Sequence, residues 1–279
     1  MIEEIILIFA GFFAGIMGHL LGIGGGIIMM PIMILVFKYP MHVAVPASLV
    51  AIVANSANVA ANNIKKEIVN IPLGLMLETA TVTFAIIGGF VSLYISENIL
   101  QIIFSVVMLA VALIYIRGLR DPNEKNLMGA HEICEKRTYF YNYYFDEREN
   151  KKVYYNVYNV GVTMIISSIA GLLSSLLGIG GGFVKVPAMN LISKVPIKAA
   201  VATSNFMIGI TASAGALVYM LYGNIDAHLM ATVTIGIYFG SKFSIKYFSK
   251  ITDKKIKIIL IILIIIVSVE MFIEALYNG

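Results

Sequence analysis

Two glycine clusters are the stretches of this sequence best suited to binding a ligand. Each reads Leu-Leu-Gly-Ile-Gly-Gly-Gly, and a proline follows after four further residues. Glycine backbone reaches positive φ and can approach a ligand closely, and successive N–H groups in such a turn form a concavity that binds anions. The helix expected after each cluster adds a partial positive charge at its N-terminus. The candidate binding glycines are Gly22, Gly24, Gly25 and Gly26 in the first cluster and Gly178, Gly180, Gly181 and Gly182 in the second.

Close packing of helices is the alternative role for these glycines, because small residues also let neighbouring helices touch. Three adjacent glycines directly before a short apolar stretch favour a binding role over packing alone. A nucleotide site is excluded at both clusters. The pattern G-x-G-x-x-G would need glycine where Ile27 and Phe183 stand, and no Gly-Lys-Ser/Thr sequence follows either cluster.

Uncharged polar side chains inside the apolar segments are the next candidates for the site. Amide and hydroxyl donors suit an anion that must bind and then leave again. Hydrogen bonds between helices are the alternative use of each of these side chains. The candidates are Ser48, Asn55 and Asn58 in the first half of the chain and Thr203, Ser204 and Asn205 in the second half.

Three ionisable residues lie within or beside apolar segments, where charge is costly and tends to be functional. Lys185, three residues into the second short helix, either attracts the anion or extends to the membrane interface. Glu78 either carries a coupling proton or reaches water at the inner end of its segment. His19, beside the first cluster, is a weaker candidate for relaying a proton.

No metal or cofactor is expected. His131 and Cys134 form an H-x-x-C pattern, which supplies too few ligands for a zinc site that takes four. Cys134 is also the one cysteine of the chain, so an intrachain disulfide framework is excluded.

The composition indicates which elements position these residues. The 279 residues are 59% hydrophobic and 13% charged, whereas soluble domains have about 25% charged residues. The chain is therefore predicted to be an all-α integral membrane protein, and no role in binding nucleic acid is expected. Predicted segments lie at about residues 4–21, 27–37, 43–61, 71–95, 98–117, 157–177, 183–193, 198–221, 225–248 and 256–276.

The segments form two copies of one unit. Between residues 13–34 and 169–190, 11 of 22 positions are identical at a constant offset of 156 residues, and such self-similarity marks a duplication. Two segments, 27–37 and 183–193, are too short to span a bilayer, which takes about 20 residues. They predict a re-entrant hairpin or a broken helix at each glycine cluster.

Five elements per copy, an odd number, predict that the two halves are inverted relative to each other. We expect two inverted repeats with about 8–10 transmembrane segments in all, and paired Gly-rich helix breaks that meet near the midplane. The domain boundaries are a first membrane repeat at 1–117, a linker loop at 118–156 and a second membrane repeat at 157–279.

Basic residues predict the orientation, because short cytoplasmic loops carry an excess of Lys and Arg. With both termini outside, Lys65, Lys66, Lys194 and the basic linker all fall inside, and Lys38 is the single basic residue in an outer loop. The linker is then cytoplasmic. Its aromatic run, residues 139–145, is interpreted as lying at the membrane interface rather than as a regulatory surface.

The duplicated motif resembles the sulfite exporter TauE/SafE family. The resemblance rests on the two Gly-Ile-Gly-Gly-Gly clusters, on Pro31 and Pro187, and on the sequence from Thr203 to Asn205, and it extends from Ile5 to about Ile251. It implies a plasma-membrane permease for small sulfur-containing or organic anions that exports or exchanges them with protons. In the first half, Ser48 is the one polar residue at the positions that match Thr203–Asn205.

These observations predict a secondary transporter that moves a small anion, sulfite or an organosulfonate, by alternating access and with possible proton coupling. A passive anion channel is the alternative. An enzyme is not expected, because the apolar segments contain no reactive cluster of His, Asp, Glu or Cys residues. The expected partners are the anion and membrane lipid, with a homodimer as a possible assembly.

Overall fold

The computed structural model describes residues 2–120, 139–146, 150–223, 225–247 and 253–277. The first half contains five helices: α1 (Ile2–Leu21), α2 (Gly26–Pro31), α3 (Met41–Lys65), α4 (Ile71–Ser92) and α5 (Glu97–Arg120). The linker contains β1 (Asn142–Asp146) and β2 (Lys151–Tyr155), and the second half contains α6 (Val160–Leu177), α7 (Gly182–Pro187), α8 (Ile197–Tyr222), α9 (Ala227–Tyr247) and α10 (Asp253–Tyr277). Each predicted apolar segment corresponds to one of these helices.

The fold is that of an all-α membrane protein, as predicted. Five of the described helices are long and apolar enough to cross a membrane by length and composition, namely α1, α3, α4, α6 and α8. The short helices α2 and α7 each continue into a wider π-helical turn, at Ile32–Val36 and Ala188–Ile192. Pro31 and Pro187 end the α-helical part, because proline lacks the N–H that the regular helical ladder needs.

The two halves repeat the same order of helices and pack as equivalent pairs. α1 packs on α9 as its counterpart α6 packs on α4. Glycine permits both contacts. A Cβ added at Gly15 would lie 2.2 Å from the carbonyl oxygen of Ile237, and one added at Gly171 would lie 2.3 Å from the carbonyl oxygen of Thr81. These two contacts are related residue for residue by the offset of 156.

The equivalent helices α3 and α8 pack against each other. Ser56 donates a hydrogen bond to the backbone oxygen of Asn205, whereas Leu49, earlier in α3, lies against Gly215, later in α8. The two helices therefore run in opposite directions. Equivalent helices run in opposite directions in an inverted duplication, but the inversion of the two halves in a membrane stays a prediction.

A two-stranded antiparallel hairpin in the linker was not predicted by the sequence. β1 pairs with β2 from Asn142 with Tyr155 to Asp146 with Lys151. Tyr144 and Tyr155 are buried in a cluster with Leu73 of α4 and with residues of α7 and α8, so these two tyrosines pack on protein. Residues 121–138 of the linker, with His131 and Cys134, fall outside the described residues.

Polar contacts join the hairpin to the helices. Lys198 at the start of α8 pairs with Asp146 at 2.6 Å, and the Asn70 amide donates to the Phe140 carbonyl at 3.0 Å. Burial raises the pKa of the Tyr155 phenol, so this side chain packs as a neutral ring. The hairpin is thereby held at the end of the α4–α8 pair.

Candidate functional site: the paired helix breaks and a buried ion pair

Each glycine cluster forms a sharp break between a long helix and a short one. Gly25 and Gly181 stand directly before α2 and α7 with φ of 89° and 70°, a left-handed conformation that favours glycine. At the first break, the amides of Ile23 and Gly24 both approach the Gly18 carbonyl oxygen, at 3.2 and 3.4 Å. These two backbone N–H groups therefore stabilise the turn through hydrogen bonds within the break.

The two breaks lie directly against each other, as the sequence predicted. A Cβ added at Gly182 would lie 2.0 Å from the Gly22 carbonyl oxygen, and one added at Gly26 would lie 2.5 Å from the Gly178 carbonyl oxygen. No side chain fits at these points. In this conformation the glycines therefore provide close approach between the halves.

Ser48 and Ser204 fasten this contact. The Ser48 hydroxyl donates to the Gly178 carbonyl oxygen at 2.6 Å, and the Ser204 hydroxyl donates to the Gly22 carbonyl oxygen at 2.9 Å. Both serines are wholly buried. Each half therefore holds the helix break of the other half, and the single donor proton of each hydroxyl is used for that bond.

Lys185 and Glu78 form a buried ion pair beside the second break. The Lys185 Nζ lies 2.6 Å from a carboxylate oxygen of Glu78. The Thr211 hydroxyl lies 2.6 Å from the same Nζ. It also lies within hydrogen-bonding distance of both carboxylate oxygens of Glu78, at 3.0 and 2.9 Å. Lys185 is 0% and Glu78 3% exposed, so neither side chain reaches an interface or water in this structure.

This ion pair links three helices, because Glu78 lies on α4, Lys185 on α7 and Thr211 on α8. Removing one partner of a buried pair typically costs about 3–5 kcal/mol, since a charge is left without compensation. The group is neutral as a whole. Any change of its protonation would expose an uncompensated charge in the interior.

The remaining predicted polar residues contact neighbouring helices. The Thr203 hydroxyl accepts a hydrogen bond from the backbone N–H of Asn70 at 3.0 Å, and the side-chain amide of Asn58 donates to the Ser241 hydroxyl at 2.9 Å. The Asn205 amide donates to the His19 carbonyl oxygen at 3.2 Å, and the His19 ring lies 2.8 Å from the Ser244 hydroxyl. His19 is thus tied to α8 and α9 rather than to Glu78.

Asn55 differs from all of these. It is wholly buried, and neither its amide nitrogen nor its amide oxygen has a hydrogen-bond partner. Buried polar groups in native proteins are nearly always satisfied, by water or a ligand if not by protein. Asn55 is therefore the predicted site residue whose amide nitrogen and oxygen are both available to a ligand, whereas in Asn205 the oxygen alone lacks a partner.

Thr211 is a polar residue of its apolar segment that was not among the binding residues predicted from the sequence. A signal for it was present, because Thr211 stands 156 residues after Asn55. Comparing the two halves position by position relates it to Asn55, which was predicted to bind the anion. The described residues contain no group of three or more His, Cys, Asp or Glu side chains that could hold a metal ion.

Comparisons with known proteins agree with this architecture. The family model described as "Sulfite exporter TauE/SafE" matches residues 7–271. The chain is 27% identical over 282 residues to "Probable membrane transporter protein YunE" of Bacillus subtilis, a match that covers 98% of this chain and 99% of the relative. It is 28% identical over 270 residues to "Probable membrane transporter protein MJ0441" of Methanocaldococcus jannaschii, covering 91% of this chain and 90% of the relative. No solved structure matches the chain.

Proposed function

The chain belongs to the sulfite exporter TauE/SafE family, and from that premise we propose that this multi-pass membrane transporter moves sulfite or an organosulfonate by proton-coupled alternating access. Members of the family are transporters rather than enzymes. The buried pair of Lys185 and Glu78 carries the proposal, because these two charged side chains lie beside the second helix break, where binding of a proton would change their net charge.

Coupling follows from the electrostatics of that pair. When Glu78 is ionised, it neutralises Lys185, and the interior offers no net positive charge to an anion. When Glu78 takes a proton, Lys185 is left with a positive charge in a medium of low dielectric. An anion then becomes the countercharge, so proton binding and anion binding each favour the other by the same free energy.

The contact between the two halves is where we place the conformational change of the transport cycle. Two hydrogen bonds, from Ser48 and Ser204, and the packing of the glycines hold the two breaks together. Repeats 1–117 and 157–279 would rock around this contact, as inverted-repeat transporters do around a site at the repeat interface. The site would comprise the eight glycines together with Ser48, Asn55, Asn58, Lys185, Thr203, Ser204 and Asn205, with His19 a weaker proton carrier than Glu78.

The orientation belongs to the same proposal. Both termini would lie outside the cell membrane and the linker with its hairpin inside, as the basic residues of the loops favour. The hairpin would then lie at the cytoplasmic end of α4 and α8, where Lys198 and Asp146 join it to the helices.

Transport by purified full-length protein in proteoliposomes tests the proposal. Uptake of labelled sulfite, sulfate and taurine is compared with and without an imposed pH gradient. We expect saturable uptake of sulfite or of the sulfonate that responds to the gradient. Uptake of all three anions that does not saturate would instead identify a passive channel, and saturable uptake that ignores the gradient would remove the proton from the mechanism.

A further inference from the structure

The positions that correspond to the ion pair through the offset of 156 residues contain no charged side chain. Subtracting 156 from Lys185 and Thr211 leads to Met29 on α2 and Asn55 on α3, and adding 156 to Glu78 leads to Thr234 on α9. The helices pack equivalently, α9 on α3 as α4 on α8. Asn55 and Thr234 therefore occupy the positions that correspond to Thr211 and Glu78, which are joined by a direct hydrogen bond.

This second position has unused hydrogen-bonding capacity. Both polar atoms of the Asn55 amide and the hydroxyl of Thr234 lack a partner. Leaving such a buried group unsatisfied costs about 1–3 kcal/mol. One turn further along α3, the Asn58 amide is already paired with Ser241 of α9.

We propose that Asn55 and Thr234 bind the substrate, and that they select an anion that still carries a hydroxyl proton. The inference rests on the proposed transport of a small oxyanion. An amide presents a donor and an acceptor side by side. A singly protonated oxyanion presents the complementary pair, because one of its oxygens accepts from Nδ2 while its O–H donates to Oδ1. The Thr234 hydroxyl donates to a further oxygen.

This arrangement distinguishes two classes of small sulfur oxyanion. Hydrogensulfite in its O–H form satisfies both atoms of the Asn55 amide. An alkylsulfonate has three acceptor oxygens and no proton to give, so it leaves Oδ1 buried and unsatisfied. A site built to bind a hydroxyl rejects an analogue that lacks it, because its own polar group is left without a partner.

The ion pair and the position of Asn55 and Thr234 would therefore have different roles in transport. Glu78 and Lys185 respond to a proton and supply the charge, whereas Asn55 and Thr234 recognise the shape and the hydroxyl of the anion. Movement of one hydrogen oxyanion together with one proton on Glu78 leaves no net charge to cross the membrane. A site at Asn55 need not touch Lys185, because charges act over longer distances in a low-dielectric interior.

The test measures binding of hydrogensulfite and of methanesulfonate to the purified full-length protein, at a pH where sulfite is mostly singly protonated. Both probes are then monoanions with three oxygens on sulfur. Hydrogensulfite carries its proton on one of these oxygens, whereas methanesulfonate has no such proton and carries a methyl group on sulfur. We expect wild-type protein to bind hydrogensulfite about tenfold or more tightly than methanesulfonate. Asn55→Leu should remove this preference, and Thr234→Val should weaken hydrogensulfite binding if Asn55→Leu does not fold.

Gln101→Leu is the matched control, because Gln101 on α5 is also a buried amide whose side-chain oxygen lacks a partner. It should keep the preference for hydrogensulfite. Equal affinity of wild-type protein for the two anions, or an unchanged preference in both Asn55→Leu and Thr234→Val, would overturn the inference while leaving the proposed transport intact. If wild-type protein binds neither anion, the proposed substrate class fails, and the inference fails with it.

Discussion

The hydroxyl of Ser48 lies 2.6 Å from the carbonyl oxygen of Gly178, and this hydrogen bond joins the first half of the chain to the helix break of the second half. The equivalent bond from Ser204 to Gly22 measures 2.9 Å. The contact between the halves is therefore reciprocal. Any motion that separates the two breaks must release both bonds.

Removing these hydroxyls should weaken the contact between the halves. In Ser48→Ala and Ser204→Ala a buried carbonyl loses its donor, and we expect each variant to lower the free energy of unfolding by about 1–3 kcal/mol. Thermal unfolding of the purified protein measures the effect. Ser213→Ala is the control, because the exposed Ser213 hydroxyl bonds within its own helix, to Gly209. If all three variants unfold at the wild-type temperature, the two bonds do not stabilise the contact.

A single methyl group at the helix breaks should abolish transport. In Gly182→Ala and Gly26→Ala the new Cβ would lie 2.0 and 2.5 Å from backbone oxygens of the opposite break. The two helix breaks must therefore move apart to accommodate it. Uptake into proteoliposomes is the measurement, with insertion into the membrane checked separately. Gly161→Ala is the matched control, since a Cβ there meets nothing within 4 Å. Wild-type uptake by Gly182→Ala would show that the close contact is dispensable.

Neutralising Glu78 should remove the response to the pH gradient. Glu78→Gln leaves Lys185 buried without its countercharge, and we expect a loss of stability of about 3–5 kcal/mol. The double variant Glu78→Thr/Lys185→Met copies the residues of the other half, Thr234 and Met29. It should regain most of that stability but not the response of uptake to the gradient. A double variant that still responds would assign the proton to another group, with His19 the next to test.

Cysteine labelling should report the orientation. In a Cys134→Ser background, Ile225→Cys places a thiol on a residue that is 43% exposed, in the turn between α8 and α9. A membrane-impermeant reagent added outside the cell should label it. Lys65→Cys, at the end of α3, should react only after the membrane is opened. The reverse pattern would invert the proposed topology.

The bounds of the helices and the existence of two helix breaks follow from local features of the sequence. An apolar stretch of sufficient length, ended by glycine, proline or a charged turn, forms a helix in nearly any context. The motif around Gly22 recurs 156 residues later around Gly178, which is why the duplication and the broken short helices were predictable.

The hairpin between β1 and β2 was not predictable from such features. Its tyrosines resemble residues of a membrane interface when they are considered alone. Tyr155 is buried because the end of the α4–α8 pair offers an apolar surface next to it. That surface exists only after distant helices have packed.

The sequence by itself determined the class of the protein, its duplication and the residue types available near the helix breaks. Only the tertiary structure decided which of them are partners. Lys185 and Glu78 are 107 residues apart, and each read alone could have reached water. Asn55 and Asn58 are both amides on α3, yet Asn58 has a partner on α9 and Asn55 has none. The physical reason is that helix formation depends on local hydropathy and backbone propensity, whereas side-chain pairing depends on the crossing of helices distant in the chain.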